Sequence, residues 1–134
     1  NRSNVITADQ ILAHLVGDYL LQSDWMATEK TRRSVAAVAH ALCYTLPFIF
    51  LASSWWALAL IAVSHFVIDR WRLARYVCWA KNWLAPPSAA PLPWSRCAAT
   101  GYDPDRPAWL SVWLLIIADN TLHLICNGLA LAYG

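Results

Sequence analysis

The polar positions inside the apolar stretches of this chain carry a period. In "LAHLVGDYLLQSDW" (12–25), His14, Asp18 and Gln22 recur at every fourth place, with Gln10 one step earlier. Residues four apart stack on one face of a helix, so the segment reads as an apolar rod with a single polar stripe. Four apolar stretches of this kind occur, at about 5–26, 34–52, 55–69 and 108–133. A hydrocarbon core of about 30 Å takes roughly 20 helical residues to cross. The third stretch is short by that measure unless it continues into the basic segment beyond. Thr7 suits the N-cap of the first helix, and Pro47 predicts a kink in the second. Only Ser53 and Ser54 separate the second stretch from the third, which predicts a tight antiparallel hairpin.

Between the third and fourth stretches the pattern changes twice. "RWRLARYVCWAKNW" (70–83) sets Arg and Lys among Trp, Tyr and Leu, the composition of a helix lying at a membrane interface. "APPSAAPLPWSRCAATGYDPDRP" (85–107) holds six of the seven prolines and reads as an irregular connector. Composition sharpens the class. The 134 residues are 59% hydrophobic and 13% charged, against about 25% charged in an ordinary soluble domain, with nine Trp. Mean hydropathy is +0.40. The expected fold is all-α and integral to a membrane: a single domain over 1–134, made of a four-helix transmembrane bundle, an interfacial amphipathic helix and a Pro-rich cytoplasmic connector (70–107). The first apolar stretch lacks the basic flank and small-residue cleavage site of a signal peptide, so no removal is expected.

Net charge is only +2, but its distribution is one-sided. Four spans put the 27–33 turn and the 70–107 connector on one side. Lys30, Arg32, Arg33, Arg70, Arg72, Arg75, Lys81, Arg96 and Arg106 fall there, with Arg2 alone opposite. The positive-inside rule then makes both connectors cytoplasmic and leaves both termini outside. Cys43, Cys78, Cys97 and Cys126 have neither C-x-x-C spacing nor a disulfide rhythm, and read as small hydrophobes.

The polar stripe recurs in the other stretches. "SHFVIDR" sets His65 and Asp69 four apart, "ADNTLHLICN" does the same for Asp119, His123 and Asn127, and His40 precedes Tyr44 by one turn. Each stretch thus holds one His, and three of the four are paired with Asp at that interval. An Asp at the centre of a bilayer costs on the order of 2.5–3.5 kcal/mol, so unpartnered carboxylates need neutralising. Imidazole nitrogen with carboxylate oxygen is the ligand set of Zn, Mn and non-haem Fe, and helix bundles build such sites from inward-facing side chains. The expected ligands are His14, Asp18, His40, His65, Asp69, Asp119 and His123, around one or two divalent ions. Gln22, Tyr44 and Asn127 would orient them. A depth argument places Asp69 almost at the cytoplasmic boundary, which puts His14, Asp18, His65 and His123 ahead of His40 and Asp69 as members. The competing explanations are an interhelical hydrogen-bond network or proton relay, and unrelated buried polar residues. Asp24 extends the stripe toward solvent as a candidate general base. Lys30 and the Arg70, Arg72 and Arg75 cluster suit anionic headgroups. Asp103 and Asp105 in "YDPDRP" read as turn formers. The chain has no Gly-rich phosphate loop, no G-x-S-x-G elbow and no H-E-x-x-H.

"HLVGDYLLQSDWMATEK", then "HALCYTLPF", "HFVID" and "DNTLH", resembles a family of small bacterial and phage-encoded membrane proteins of unknown function, with motifs over most of the chain. The resemblance implies a bacterial inner membrane setting. It supports His14, Asp18, Gln22, Asp24, Trp25, Lys30, His40, His65, Asp69, Asp119 and His123 as characteristic positions. Asn120 stands where that family is expected to carry Gln, and the Pro-rich connector is peculiar to this chain. In layout alone the chain is also similar to the membrane-bound metal-dependent hydrolases.

Three functions compete at this level. One is a metal-dependent hydrolase acting on ester or phosphoester groups at headgroup depth. Another is a structural or accessory membrane subunit, with lipid, a second copy or a larger complex as partner. The third is a proton or metal-ion conductor, disfavoured because the outer halves of the second and third stretches are almost wholly apolar. No nucleic-acid partner is expected.

Overall fold

The computed structural model describes residues 6–134, and every described element is helical. Thr7 is extended and its side chain accepts from Gln10 N, which starts α1 at Ala8–Leu15. The ladder then widens into a π-helical turn at Val16–Leu20, closed by Leu21 N donating to Val16 O at 3.0 Å. Ser23 caps a new short helix, α2, at Asp24–Glu29. α3 covers Ser34–Thr45 and passes into a 3₁₀ turn at Leu46–Phe50. Pro47 explains the change, because it has no N–H to continue the α ladder. Ser54 accepts from Ala57 N at 3.1 Å and opens α4, Trp55–Arg70. After α5 (Ala74–Lys81) come a 3₁₀ turn at Pro87–Ala89, the single turn α6 (Trp94–Cys97), and α7 at Ala108–Tyr133.

The four-span expectation does not survive. Among the described residues only α7, at 26 residues, is long and apolar enough to cross a membrane. The other stretches have the composition of spans without the continuity. The first is broken by the π turn and by the Ser23 cap, and the second loses its α ladder at Pro47. The 16 residues of α4 reach roughly 24 Å at 1.5 Å each, short of the ~30 Å core. The fold is therefore all-helical, not a four-helix transmembrane bundle. The multi-pass inner-membrane placement with both termini outside falls with it, since counting basic residues assigns sides only where spans separate the connectors. Val5, where the first stretch was expected to begin, and Arg2, the basic residue assigned to the opposite side, lie outside the described residues.

Two compact units divide the chain. The first runs up to Trp71 and takes in Leu122–Gly134; α3 and α4 are its most extensive pairing. Ala13, Tyr44, Phe48, Ile61 and Ala130 form its apolar core, edged by Leu51, Leu58 and Leu131. Gly17 is where the π turn meets α3. A Cβ there would stand 2.8 Å from both Cδ2 and the carbonyl oxygen of Tyr44, so only glycine admits this approach.

The second unit is Arg72–Thr121, and arginine and aromatic contacts organise it. Arg75 donates to Ala98 O at 2.8 Å, with its guanidinium 5.0 Å from the Tyr76 ring and 5.4 Å from that of Trp94. Tyr76 and Trp94 stack at 4.5 Å, and Trp79 Nε1 donates to Leu92 O at 3.0 Å. Arg72, in the left-handed region at φ 52, donates to Ala99 O. Together these pin the Pro-rich connector onto α5.

Candidate metal centre

The buried polar groups of the first unit meet at one place. The π turn carries Asp18, buried beside Gly17, one turn beyond His14. His40 comes from the middle of α3, His65 and Asp69 from consecutive turns of α4, and His123 from α7. None of the four histidines is more than 1% exposed, and both carboxylates are 5% exposed.

Asp69 is the hub. His123 Nε2 lies 3.1 Å from its Oδ1, while His65 Nε2 and His40 Nε2 lie 3.1 and 3.4 Å from its Oδ2. Asp18 is the second carboxylate. Its Oδ1 is 3.1 Å from His40 Nε2 and 3.7 Å from His65 Nε2, and its Oδ2 is 3.9 Å from His14 Nε2. One ligand atom from each of Asp18, His40, His65 and Asp69 falls within 4.8 Å of all the others. His65 Nε2 approaches Asp69 without the direction of a hydrogen bond. That is how donor atoms stand when several face one point. These buried His and Asp groups can hold a metal ion.

A second ring of contacts holds the imidazoles. The Tyr44 hydroxyl accepts from Asn127 Nδ2 at 2.6 Å and lies 2.6 Å from His14 Nδ1. The Tyr44 ring stacks on His65 with centroids 3.7 Å apart and planes 15° from parallel. Gln10, also buried, donates to Leu124 O at 3.1 Å and ties α1 to the last turns of α7. Lys30, at the end of α2, puts Nζ 2.9 Å from Asp69 Oδ2.

Electrostatics follow from burial set against these partners. Burial raises the Asp69 carboxyl, but its contacts with His123, His40 and His65 prevail and hold it well below the ordinary carboxylate value. Asp18 is likewise pushed up by burial and brought below its ordinary value by His40, His65 and Lys30. Burial lowers His40, yet its hydrogen bond with Asp18 and its close contact with Asp69 leave it above the ordinary histidine value. His65 is driven down by burial to about 4. It is a neutral imidazole at pH 7, with a lone pair available to a metal.

Within the first unit the structure brings together His14, Asp18, His40, His65, Asp69 and His123. Asp69 and His40, which the depth argument set behind the others, sit at the middle. Depth could rank them only across four spans, and among the described residues only α7 is long and apolar enough to be one. Asp119 lies one turn before His123 on α7, half-buried, within the second unit. Tyr44 stands against His14 and His65, and Asn127 against the Tyr44 hydroxyl. Gln22 follows the π turn, half-buried, with its side-chain oxygen buried and without a hydrogen-bond partner. Asp24 is exposed in the first turn of α2, and its carbonyl accepts from Thr28. Arg70 donates to Thr31 O and Ser34 Oγ and lies 5.9 Å from the Trp71 ring, which joins α4 to the turn before α3. Arg72 and Arg75 clamp the connector of the second unit. A partnership at the site that the sequence did not suggest is Lys30 on Asp69: the two are far apart in the chain, and no periodicity links them.

No curated protein and no solved structure matches the chain. A family model described as a protein of unknown function (DUF3307) matches residues 6–129. That match covers nearly the whole sequence, and the chain belongs to this family.

Proposed function

We propose that this protein binds one divalent metal ion through Asp18, His40, His65 and Asp69, with His123 and His14 at the edge of the same site. The observation that carries the reading is the convergence of imidazole and carboxylate atoms from the π turn, α3 and α4 within 4.8 Å of one another. Mixed nitrogen and oxygen ligation suits Zn, Mn or Fe. Burial of every donor favours an ion that ties these elements together, since structural sites are closed while catalytic ones keep an open position. Removing the ion should then cost stability as well as metal content.

Metal-dependent hydrolysis is the second reading, favoured by Lys30. At 17% exposure its side chain leads from Asp69 toward solvent and offers a positive charge to an anionic ester. A bound ion supplies Lewis acidity in that scheme.

The test is elemental analysis of purified wild type beside His40→Ala and Asp69→Ala, followed by thermal unfolding with and without chelator. About one equivalent of metal in wild type, lost in both variants, with a melting temperature that falls on chelation, is the expected result. Wild type free of metal after incubation with Zn, Mn and Fe salts would overturn the reading. Turnover of a chromogenic phosphoester only in the metal-loaded protein would favour the hydrolase.

A further inference from the structure

The cluster already holds a cation, and its position is informative. Lys30 Nζ contacts Asp69 Oδ2 at 2.9 Å, the same oxygen that His65 and His40 face at 3.1 and 3.4 Å. We propose that Lys30 is a placeholder for the metal: its ammonium neutralises Asp69 while the ion is absent, and an incoming divalent ion displaces it. This rests on the metal-binding reading above.

Charge supports the exchange. Asp18 and Asp69 bring two negative charges among four histidines that are each no more than 1% exposed, and Lys30 offsets one of them. An unpaired buried carboxylate is strongly destabilising, so a metal-free cluster needs such a counter-ion. A divalent ion bound to the same oxygen reverses the situation. Two cations sharing one carboxylate oxygen a few ångströms apart repel steeply in a poorly solvated site.

The local structure lets the ammonium leave without unfolding anything. The backbone of the turn is fixed, with Lys30 N donating to Met26 O at 3.0 Å, and Arg32 N and Arg33 N both donating to Glu29 O. The side chain hangs from this anchor on four rotatable carbons. At 17% exposure, against 3% for the Asp69 side chain, it already borders solvent. Rotation about that stem carries the charge outward and leaves Oδ2 to the ion.

Two measurements test the exchange. In the first, zinc affinity is measured by chelator competition for wild type, Lys30→Met and Lys30→Arg. Losing the resident cation destabilises the metal-free state, so Lys30→Met should bind zinc at least about tenfold more tightly, and Lys30→Arg should not. In the second, wild type is treated briefly with an amine-acylating reagent, with and without zinc, and the modification is read by mass spectrometry. Lys30 should become several-fold more reactive on zinc addition, while Lys81, the chain's other lysine, serves as the internal reference. The second measurement stands alone if Lys30→Met fails to fold. Zinc bound by wild type with unchanged Lys30 labelling overturns the inference and leaves the metal site intact. Unchanged or weaker zinc affinity in a folded Lys30→Met protein overturns it too. No zinc in wild type ends both readings, whatever the variants bind.

Discussion

Gly17→Ala adds one methyl group at the contact that seats Asp18. The new Cβ would lie 2.8 Å from Tyr44 Cδ2, 2.8 Å from Tyr44 O and 3.1 Å from Tyr44 Cα. Carbon atoms in ordinary contact sit at roughly 3.5–4.0 Å, so the π turn and α3 must separate by about 0.7 Å or distort. Rotating the tyrosine ring does not relieve the clash, because two of the three atoms are backbone. The ring is also held by His65, and its hydroxyl by Asn127. Overpacking of this kind costs about 1–3 kcal/mol. Opposing it, Gly→Ala in a helix ordinarily gains about 0.8–1 kcal/mol. The net expectation is a loss of about 0–2 kcal/mol, which at its upper end is several degrees in melting temperature for a chain of this size. Asp18 moves with its neighbour, so zinc affinity should fall as well. Circular dichroism melts and zinc competition on the same preparations measure both effects. A Gly17→Ala protein more stable than wild type would show that helix propensity prevails and that the close approach to Tyr44 does not constrain the fold.

Other perturbations probe separate links. Tyr44→Phe keeps the stack on His65 but removes the hydroxyl that meets His14 and Asn127, leaving buried polar groups unsatisfied; urea denaturation should show a loss of about 1–3 kcal/mol. In metal-free protein His65 titrates near 4 when folded and about 6.5 when unfolded, so the unfolded chain binds the extra proton and stability falls as pH drops from 6.5 to 4. That interval corresponds to about 3 kcal/mol, and His65→Leu should flatten this part of the stability–pH curve. His40 has the opposite sign: its contribution is present below the unfolded histidine value and disappears as pH rises through the higher folded one. His40→Leu should therefore reduce the stability lost on the alkaline side, as denaturation above pH 6.5 would register. In the second unit, Gly101→Ala puts a Cβ onto the Arg75 carbonyl at φ 85, and hydrogen exchange should quicken around 98–102 while protection of α4 is unchanged.

Much of the candidate site was legible in the sequence, because a four-residue spacing on a helix is a geometric statement. His65 and Asp69 share a face of α4 whatever surrounds it, and His14 and Asp18 stay together even across the π turn. The need for partners was legible as well, since buried carboxylates must be neutralised. Helix class was readable from apolar runs of the right length. Continuity was not. Composition counts apolar residues without registering that Ser23 caps a new helix or that Pro47 ends an α ladder, so of four apparent spans one helix of sufficient length stands among the described residues. The centre of the cluster was also decided by tertiary packing. Only the close approach of Gly17 to Tyr44 lets the π turn deliver Asp18 to His40, and only the fold carries Lys30 to Asp69. Periodicity fixes directions around one helix axis. Which directions converge depends on how several axes pack, and that is a property of the whole chain.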